Sequence, residues 1–230
     1  MIYENEIDKS KYKIEYYGEK FSKNLRAYKV IVIGSYGTGK TTIIKRLMDK
    51  EAGKEYEPTM SIDIKNIQVK VNDKIIQISI WDCCGNDKYA QNSPNLFKNA
   101  SIALLIYAIN NKKKSFNNLN NWYNILKDQS YENMIFLIGN KSDLEKEREV
   151  TIEEAEAFRN NNDDIKIFLE TSAFKGNNMD KLLDYIVISI YEEETSDKNK
   201  VVDNALKAGR ITLVKEDFTK DKKKKKKLCC

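Results

Sequence analysis

The stretch Ile31-Val-Ile-Gly-Ser-Tyr-Gly-Thr-Gly-Lys-Thr-Thr42 constrains the fold more than any other part of the chain. An apolar run stops at a glycine, three glycines fall within seven residues, and a lysine and two hydroxyls follow. The span 34–41 fits G-x-x-x-x-G-K-[ST], a loop that needs a strand before it and a helix after it. Glycines let backbone N–H groups turn inward around a phosphate, and the helix N-terminus adds positive dipole. Gly34, Ser35, Tyr36, Gly37, Thr38 and Gly39 are therefore expected to line a phosphate site. Lys40 reaches the β and γ oxygens, the Thr41 hydroxyl ligates Mg2+, and Thr42 follows in the helix. The alternative is a tight turn with a solvated lysine, and the strand-to-helix context argues against it.

From position 29 onward, apolar runs alternate with helical patterns. Strands are expected at 30–33, 62–71, 75–81, 102–109, 134–139 and 165–169, and helices near 41–50, 116–127, 151–159 and 179–192. Asn72-Asp73 signals a hairpin, and Thr151-Ile-Glu-Glu154 a capping box. This predicts an α/β fold: a six-stranded, mostly parallel sheet with one antiparallel edge strand and helices on both faces. Residues 1–26 are polar and tyrosine-rich without sustained periodicity and read as an extension. The domain spans 27–194, and 195–230 reads as a flexible tail.

Composition removes several chemistries. The chain has no histidine, so Ser-His and Cys-His nucleophilic sites, a histidine general base and histidine-bound zinc are excluded. The cysteines form two adjacent pairs, Cys83-Cys84 and Cys229-Cys230, without zinc spacing. The longest apolar run, 102–109, is far shorter than the ~20 residues of a membrane span, and the start lacks the order of a secretory signal. A cytosolic protein with reduced thiols is expected. Lys220 and the six lysines of 222–227, against Asp221, exceed the whole chain's net charge of +5, so the protein is basic only at its tail. No nucleic-acid partner is expected.

The base is read from Leu137-Ile-Gly-Asn140-Lys141-Ser142-Asp143, placed at a strand end where open α/β sheets bind ligands. A carboxylate accepts from both N1–H and the N2 amine of guanine, a donor pair that adenine lacks. Asp143 is thus the guanine reader, with Asn140 a second polar clamp and the Lys141 stem packing on the base.

With these motifs in place the chain resembles a Ras-superfamily small GTPase, most like the Rab branch, over 27–192 and at the terminus. The stretch Trp81-Asp82-Cys83-Cys84-Gly85-Asn86 is similar to W-D-T-A-G-Q, which opens switch II, and Glu170-Thr-Ser-Ala173 to E-T-S-A. Thr59 after Pro58 resembles the switch I threonine, and Met60-Ser-Ile-Asp-Ile64 resembles I-G-V-D-F of Rab proteins. The resemblance implies a small G domain in which Thr59 ligates Mg2+ and senses the γ-phosphate. It also implies that Asp82 holds the ion through water, Gly85 N–H touches the γ-phosphate, and the Ala173 amide meets guanine O6. Tyr56, Ser172 and Phe174 join the nucleotide-binding set, and Lys40, Thr59 and Asn86 the catalytic one. Ile64, Trp81 and Leu96 fall where Rab proteins carry an aromatic-rich effector surface, with core packing as the alternative.

Several residues depart from that pattern. Asn86 replaces the water-orienting glutamine, one methylene (~1.5 Å) shorter, where a ~1 Å misplacement costs ~100-fold. Tyr36 stands where Gly, Ala or Ser is usual and either crowds the attacking water or points to solvent. Ala52 falls where the family has an aromatic on the guanine edge, and Phe174 where it has lysine, with Lys175 next. Cys83 and Cys84 replace Thr-Ala and read as two small residues under switch II, a reactive thiol being the alternative.

The lysine run, Leu228, Cys229 and Cys230 resemble a doubly prenylated Rab terminus rather than C-a-a-X. Two lipids and a basic patch facing anionic lipid give stable anchoring. The alternative is a solvated or nuclear-localisation-like run. The implied function is a membrane-anchored GTP/GDP switch in vesicle trafficking, with a cytosolic pool and slow intrinsic hydrolysis. Implied partners are an exchange factor, a GTPase-activating protein, a GDP-dissociation inhibitor, a prenyl transferase with its escort protein, and effectors. A constitutively GTP-bound scaffold is the second reading. A P-loop phosphotransferase is the third, opposed by Asp143 and Ala173.

Overall fold

Val30 and Val32 enter one hydrophobic core and Ile31 and Ile33 another, so the strand that carries them, β2 (Ala27–Ile33), is buried on both faces. The computed structural model describes residues 9–48, 62–91, 93–129 and 134–207, with the backbone alone at 9, 87, 89 and 197–207. Around β2, in chain order, lie β1 (Ile14–Glu19), α1 (Lys40–Leu47), β3 (Asp63–Val71), β4 (Lys74–Asp82) and the short α2 (Asp87–Gln91). Then come β5 (Ala100–Ala108), α3 (Leu119–Asp128), β6 (Met134–Asn140), α4 (Ile152–Asn160), β7 (Ile165–Thr171) and α5 (Met179–Lys207). The sheet order is β1-β3-β4-β2-β5-β6-β7. Strands β4, β2, β5, β6 and β7 run parallel, while β1–β3 and β3–β4 are antiparallel.

Each face carries its own core. Ile43 and Ile44 of α1 pack with Leu182 and Ile186 of α5 on one side. Leu119, Trp122 and Leu126 of α3 and Ala155 of α4 cover the other. Burying each large apolar side chain of this kind stabilises by about 1.5–3 kcal/mol. The hairpin signal holds: Asn72 turns β3 into β4 at φ +52°. So does the capping box, with Glu154 N–H donating to Thr151 Oγ1 at 3.2 Å and Thr151 N–H to Glu154 Oε2 at 3.1 Å.

The α/β class and the two-sided helix cover are as expected, but the sheet has seven strands rather than six. The additional strand, β1, comes from the segment read as an extension. A register shift between Tyr16 and Gly18 breaks its two-residue period, which hides it from a periodicity reading. Distant partners hold it in place. Lys13 and Asn72 exchange hydrogen bonds, Asn72 N–H to Lys13 O at 2.8 Å and Lys13 N–H to Asn72 Oδ1 at 3.0 Å. Tyr16 OH donates to Asp184 Oδ1 at 2.5 Å, and Tyr12 meets Tyr191 edge-on at 6.0 Å. The fully buried Gln77 accepts from Ser22 N–H at 2.6 Å and donates to the carbonyls of Ser22 and Leu25. The antiparallel edge is therefore β1, with β3 inside the sheet.

The chain divides into units 1–191 and 192–230. Helix α5 continues to Lys207, beyond the boundary at 195 where a coil was expected. A turn of π-helix, Lys112–Phe116, precedes α3. Among the described residues no helix is long and apolar enough to cross a membrane.

Candidate nucleotide site

The glycine loop joins the C-terminal end of β2 to the N-terminus of α1, where unpaired helix N–H groups and the dipole favour anions. Lys40 is buried, and its Nζ donates to the carbonyls of Gly34 at 2.9 Å and Ser35 at 3.0 Å. Burial pushes its pKa down to about 8, and an anion bound beside it would favour the charged form. Thr38 Oγ1 donates to Ser35 O at 3.0 Å. Ser35 turns its hydroxyl away from the loop, where it accepts from Asn118 Nδ2 at 3.0 Å and Trp122 Nε1 at 3.3 Å. Thr42 is half-buried in the first turn of α1.

Thr41 Oγ1 donates to Asp82 Oδ2 at 2.7 Å. A hydroxyl and a carboxylate thus converge at the helix start, an all-oxygen donor pair of the kind a hard divalent cation takes. Thr41 and Asp82 fit Mg2+ in donor chemistry. Thr59, Tyr56 and Ala52 lie outside the described residues.

Two close backbone approaches account for two of the glycines. A Cβ on Gly39, which adopts φ +90°, would stand 2.4 Å from Asn140 Nδ2. A Cβ on Gly85 would stand 2.6 Å from both N and Cα of Tyr36, and 2.9 Å from Lys40 Nζ. The switch II glycine therefore lies directly against the phosphate loop. The Tyr36 side chain itself is 55% exposed, so most of the phenol faces solvent.

Asn140 ties two loops of the site together. Its Nδ2 donates to Thr38 O at 2.8 Å, while its Oδ1 accepts from Ala173 N–H at 3.2 Å and Thr171 Oγ1 at 3.3 Å. It is a buried strut between the phosphate loop and the E-T-S-A loop. It also engages the Ala173 amide that the resemblance assigns to guanine O6. Asp143 accepts from Ser172 Oγ at 2.5 Å, which orients the carboxylate. Lys141 sits in the left-handed region at φ +67°, and burial pushes its pKa down. Sequence reasoning missed Arg46, whose Nε donates to Ala173 O at 3.0 Å and whose Nη2 donates to Phe174 O at 2.8 Å. It also missed Asn118 and Trp122, which brace the phosphate loop through Ser35. No local pattern marks any of the three.

Around switch II, Asn86 is exposed and its Oδ1 accepts from Lys88 N–H at 3.1 Å, an Asx-type turn at the start of α2. Cys83 and Cys84 are buried, and burial pushes the Cys83 thiol up to about 12. This matches two small residues under switch II and not a reactive thiol. Of the expected effector residues, Ile64 is exposed and Trp81 half-buried, with Lys29 Nζ 3.7 Å from its ring centroid. Leu96 is corrected to a core residue, 1% exposed, because the turn Pro94–Leu96 folds it inward.

A phosphate loop tied through Asn140 to the loop that holds Asp143, beside a hydroxyl and a carboxylate that fit a divalent cation, is the arrangement of a P-loop GTPase. The Ras family profile matches residues 29–192, and the chain belongs to the Ras family. It is 32% identical over 179 residues to "Ras-related protein Rab-11C" of Dictyostelium discoideum, covering 77% of this chain and 78% of the relative. It is 33% identical over 206 residues to "Ras-related protein YPTC6" of Chlamydomonas reinhardtii (88% and 94% covered). To "Ras-related protein Rab11B" of Nicotiana tabacum it is 30% identical over 200 residues (85% and 91%). The chain is a divergent Rab-type GTPase, and Ras-family GTPases in general bind guanine nucleotide and Mg2+.

Proposed function

We propose that this GTPase is a GTP/GDP switch of vesicle trafficking, anchored by prenylated Cys229 and Cys230 to the cytosolic face of an intracellular membrane, and slow in intrinsic hydrolysis. The Asn140 strut carries the reading of the switch itself, because it makes the phosphate and base ends of the site one unit. Lys40 and the loop amides hold the phosphates, Asp143 reads guanine, and Thr41 with Asp82 would hold Mg2+, which when bound neutralises phosphate charge. Gly85, packed on the phosphate loop, is placed to report the γ-phosphate to switch II. Thr59 completes the ion site and Tyr56 the nucleotide contacts by resemblance. Exposed Ile64 and the ring of Trp81 are offered to effectors. The exchange factor, GTPase-activating protein, GDP-dissociation inhibitor, and prenyl transferase with its escort protein belong to the same proposal.

Slow hydrolysis is supported by Asn86, which is a methylene short and whose Oδ1 is engaged by Lys88 N–H. Positioning of water is the step affected, since charge stabilisation at the loop is intact. The experiment is to identify the nucleotide that copurifies and follow it for hours with Mg2+. Guanine nucleotide that converts slowly to GDP supports the reading, and adenine nucleotide overturns it. GTP that persists unchanged favours the scaffold reading, which the engaged Asn86 also supports. In single-turnover assays Asn86→Gln should raise cleavage several-fold, while Tyr36→Gly, which removes a mostly solvent-facing phenol, should add little. A wild-type rate equal to that of Asn86→Gln would show that Asn86 is not a cause of slow turnover.

The proposed anchor lies in residues 222–230, outside those described, and is tested in cells. Cys229→Ser with Cys230→Ser should leave the protein in the soluble fraction, while neutralising the lysines should weaken attachment without abolishing it. Pelleting of the double-serine protein with membranes would refute prenylation.

A further inference from the structure

Strand β1 lies before residues 29–192, the span that matches the Ras family, and its register shift has a consequence for the side chains. In a regular strand successive side chains alternate between the two faces of the sheet. Here the pairing steps from Tyr16 opposite Val69 to Gly18 opposite Gln68, which leaves Tyr17 as an extra residue. An irregularity of this kind re-aims side chains. Two consecutive tyrosines, Tyr16 and Tyr17, accordingly line the same cavity, about 410 Å3 in volume, between β1, β3, α1 and α5.

That volume falls among those of small-molecule sites, which pair a mostly apolar lining with a few placed polar groups. Leu47, Val69 and Leu183 supply apolar wall, and the two phenol rings extend it. The charge at the cavity is chiefly negative. Asp180, in the first turn of α5, is exposed and lines it. Asp184, one turn further on, is buried behind Tyr16 and accepts its hydroxyl. Burial first, then the charges of Asp184 and Asp180, raise the Tyr16 pKa, so added negative charge is disfavoured there. Arg46 is the cation of the lining, and its Nε and Nη2 are turned to the carbonyls of Ala173 and Phe174. Lys20 Nζ stands 5.3 Å from the Tyr17 ring centroid and is not part of the lining.

We propose that this cavity is a second binding site, for a small organic cation: a protonated amine paired with Asp180, its apolar body laid against Tyr16, Tyr17 and Leu183. Its chemistry is opposite to that of the phosphate loop, which receives a polyanion at the other end of α1. Its roof comes from the segment that precedes the family domain, so the site belongs to this chain and not to the G domain as such. It does not depend on the guanine reading.

The test is an NMR titration of the full 15N-labelled chain, loaded with GDP and Mg2+, with three probes on one phenylbutyl frame. These are 4-phenylbutylamine (cationic), 4-phenylbutanol (neutral) and 5-phenylpentanoate (anionic). The amine should bind about fivefold tighter than the alcohol, as one partly exposed ion pair allows, and the pentanoate more weakly than either. The shifts should centre on the amides of Gly18, Val69 and Asp180. Asp180→Asn should bring the amine down to the alcohol's affinity and leave the alcohol unchanged. Tyr17→Ala should weaken amine and alcohol alike, a loss of apolar wall that tests the site without touching its charge. Melting temperature checks that each variant is folded. Equal binding of amine and alcohol to the wild type, tighter binding of the pentanoate, shifts centred elsewhere, or no binding of any probe would overturn the proposal. So would an amine affinity that survives Asp180→Asn.

Discussion

Without residues 1–26 the protein is expected to lose on the order of 3 kcal/mol of stability, roughly 6–12 °C of melting temperature for a chain of this size. The largest loss falls at Gln77, which is fully buried. Its Nε2 donates to the carbonyls of Ser22 and Leu25, and both acceptors go with the deletion. Its Oε1 keeps a bond from Gln68 Nε2 at 3.0 Å, so the orphan is the donor end. A buried donor left without a partner costs about 1–3 kcal/mol. The phenol of Tyr16 also leaves the buried carboxylate of Asp184, and Tyr12 and Ile14 leave the edge of the core. Chain entropy regained by the missing strand offsets part of this.

The deletion has a second consequence. It turns β3 into an edge strand, and its backbone becomes a template for pairing with other chains. β1 is a safer edge, flanked by Lys13 and bearing Glu15 and Glu19, with a register shift that twists it. The truncated protein should therefore aggregate at lower temperature as well as melt earlier. Thermal unfolding with light scattering measures both. Adding Gln77→Leu to the truncated protein should recover part of the loss, because it removes the orphaned amide along with its missing partners. A truncated protein that melts within about 2 °C of the full chain would show that the strand contributes little.

What the sequence disclosed was whatever local chemistry dictates. The phosphate loop, the Asn72 turn and the Thr151–Glu154 box are each specified within a few residues, and each is where it was expected. The strand that was missed depends on partners far along the chain: Lys13 meets Asn72, and Tyr16 meets an aspartate on α5. The same holds in the site. Arg46 binds carbonyls 127 and 128 residues onward, and Asn140 reaches back 102 residues to Thr38. An N-K-x-D motif gives no sign that its asparagine faces protein on both sides, since only the assembled fold brings Thr38 and Ala173 within reach. Leu96 was assigned to a surface by position in a pattern, and the turn that buries it is a feature of this chain's own segment after α2.

Asp143→Asn should weaken GDP binding by about 3–5 kcal/mol, since one charge-assisted bond is lost and a second meets a donor. Ser172 Oγ donates to one carboxylate oxygen and fixes the plane of the group. In the asparagine variant the same hydroxyl holds the amide oxygen, so the –NH2 turns toward the base. Guanine offers N1–H and an N2 amine, and donor then faces donor. Reversing the amide does not resolve this, because one of the two positions still carries N–H. Xanthine replaces the exocyclic amine by a carbonyl, which accepts what the variant donates, so the variant should gain affinity for xanthosine diphosphate relative to GDP. The fold should be spared, because Ser172 keeps an acceptor at position 143. Calorimetric titration of wild type and variant with GDP, ADP and xanthosine diphosphate measures the selectivity, and melting temperature checks the fold. Equal loss for all three nucleotides would mean that Asp143 supports the loop and does not read the base. Equal affinity of the wild type for GDP and ADP would remove the guanine assignment itself.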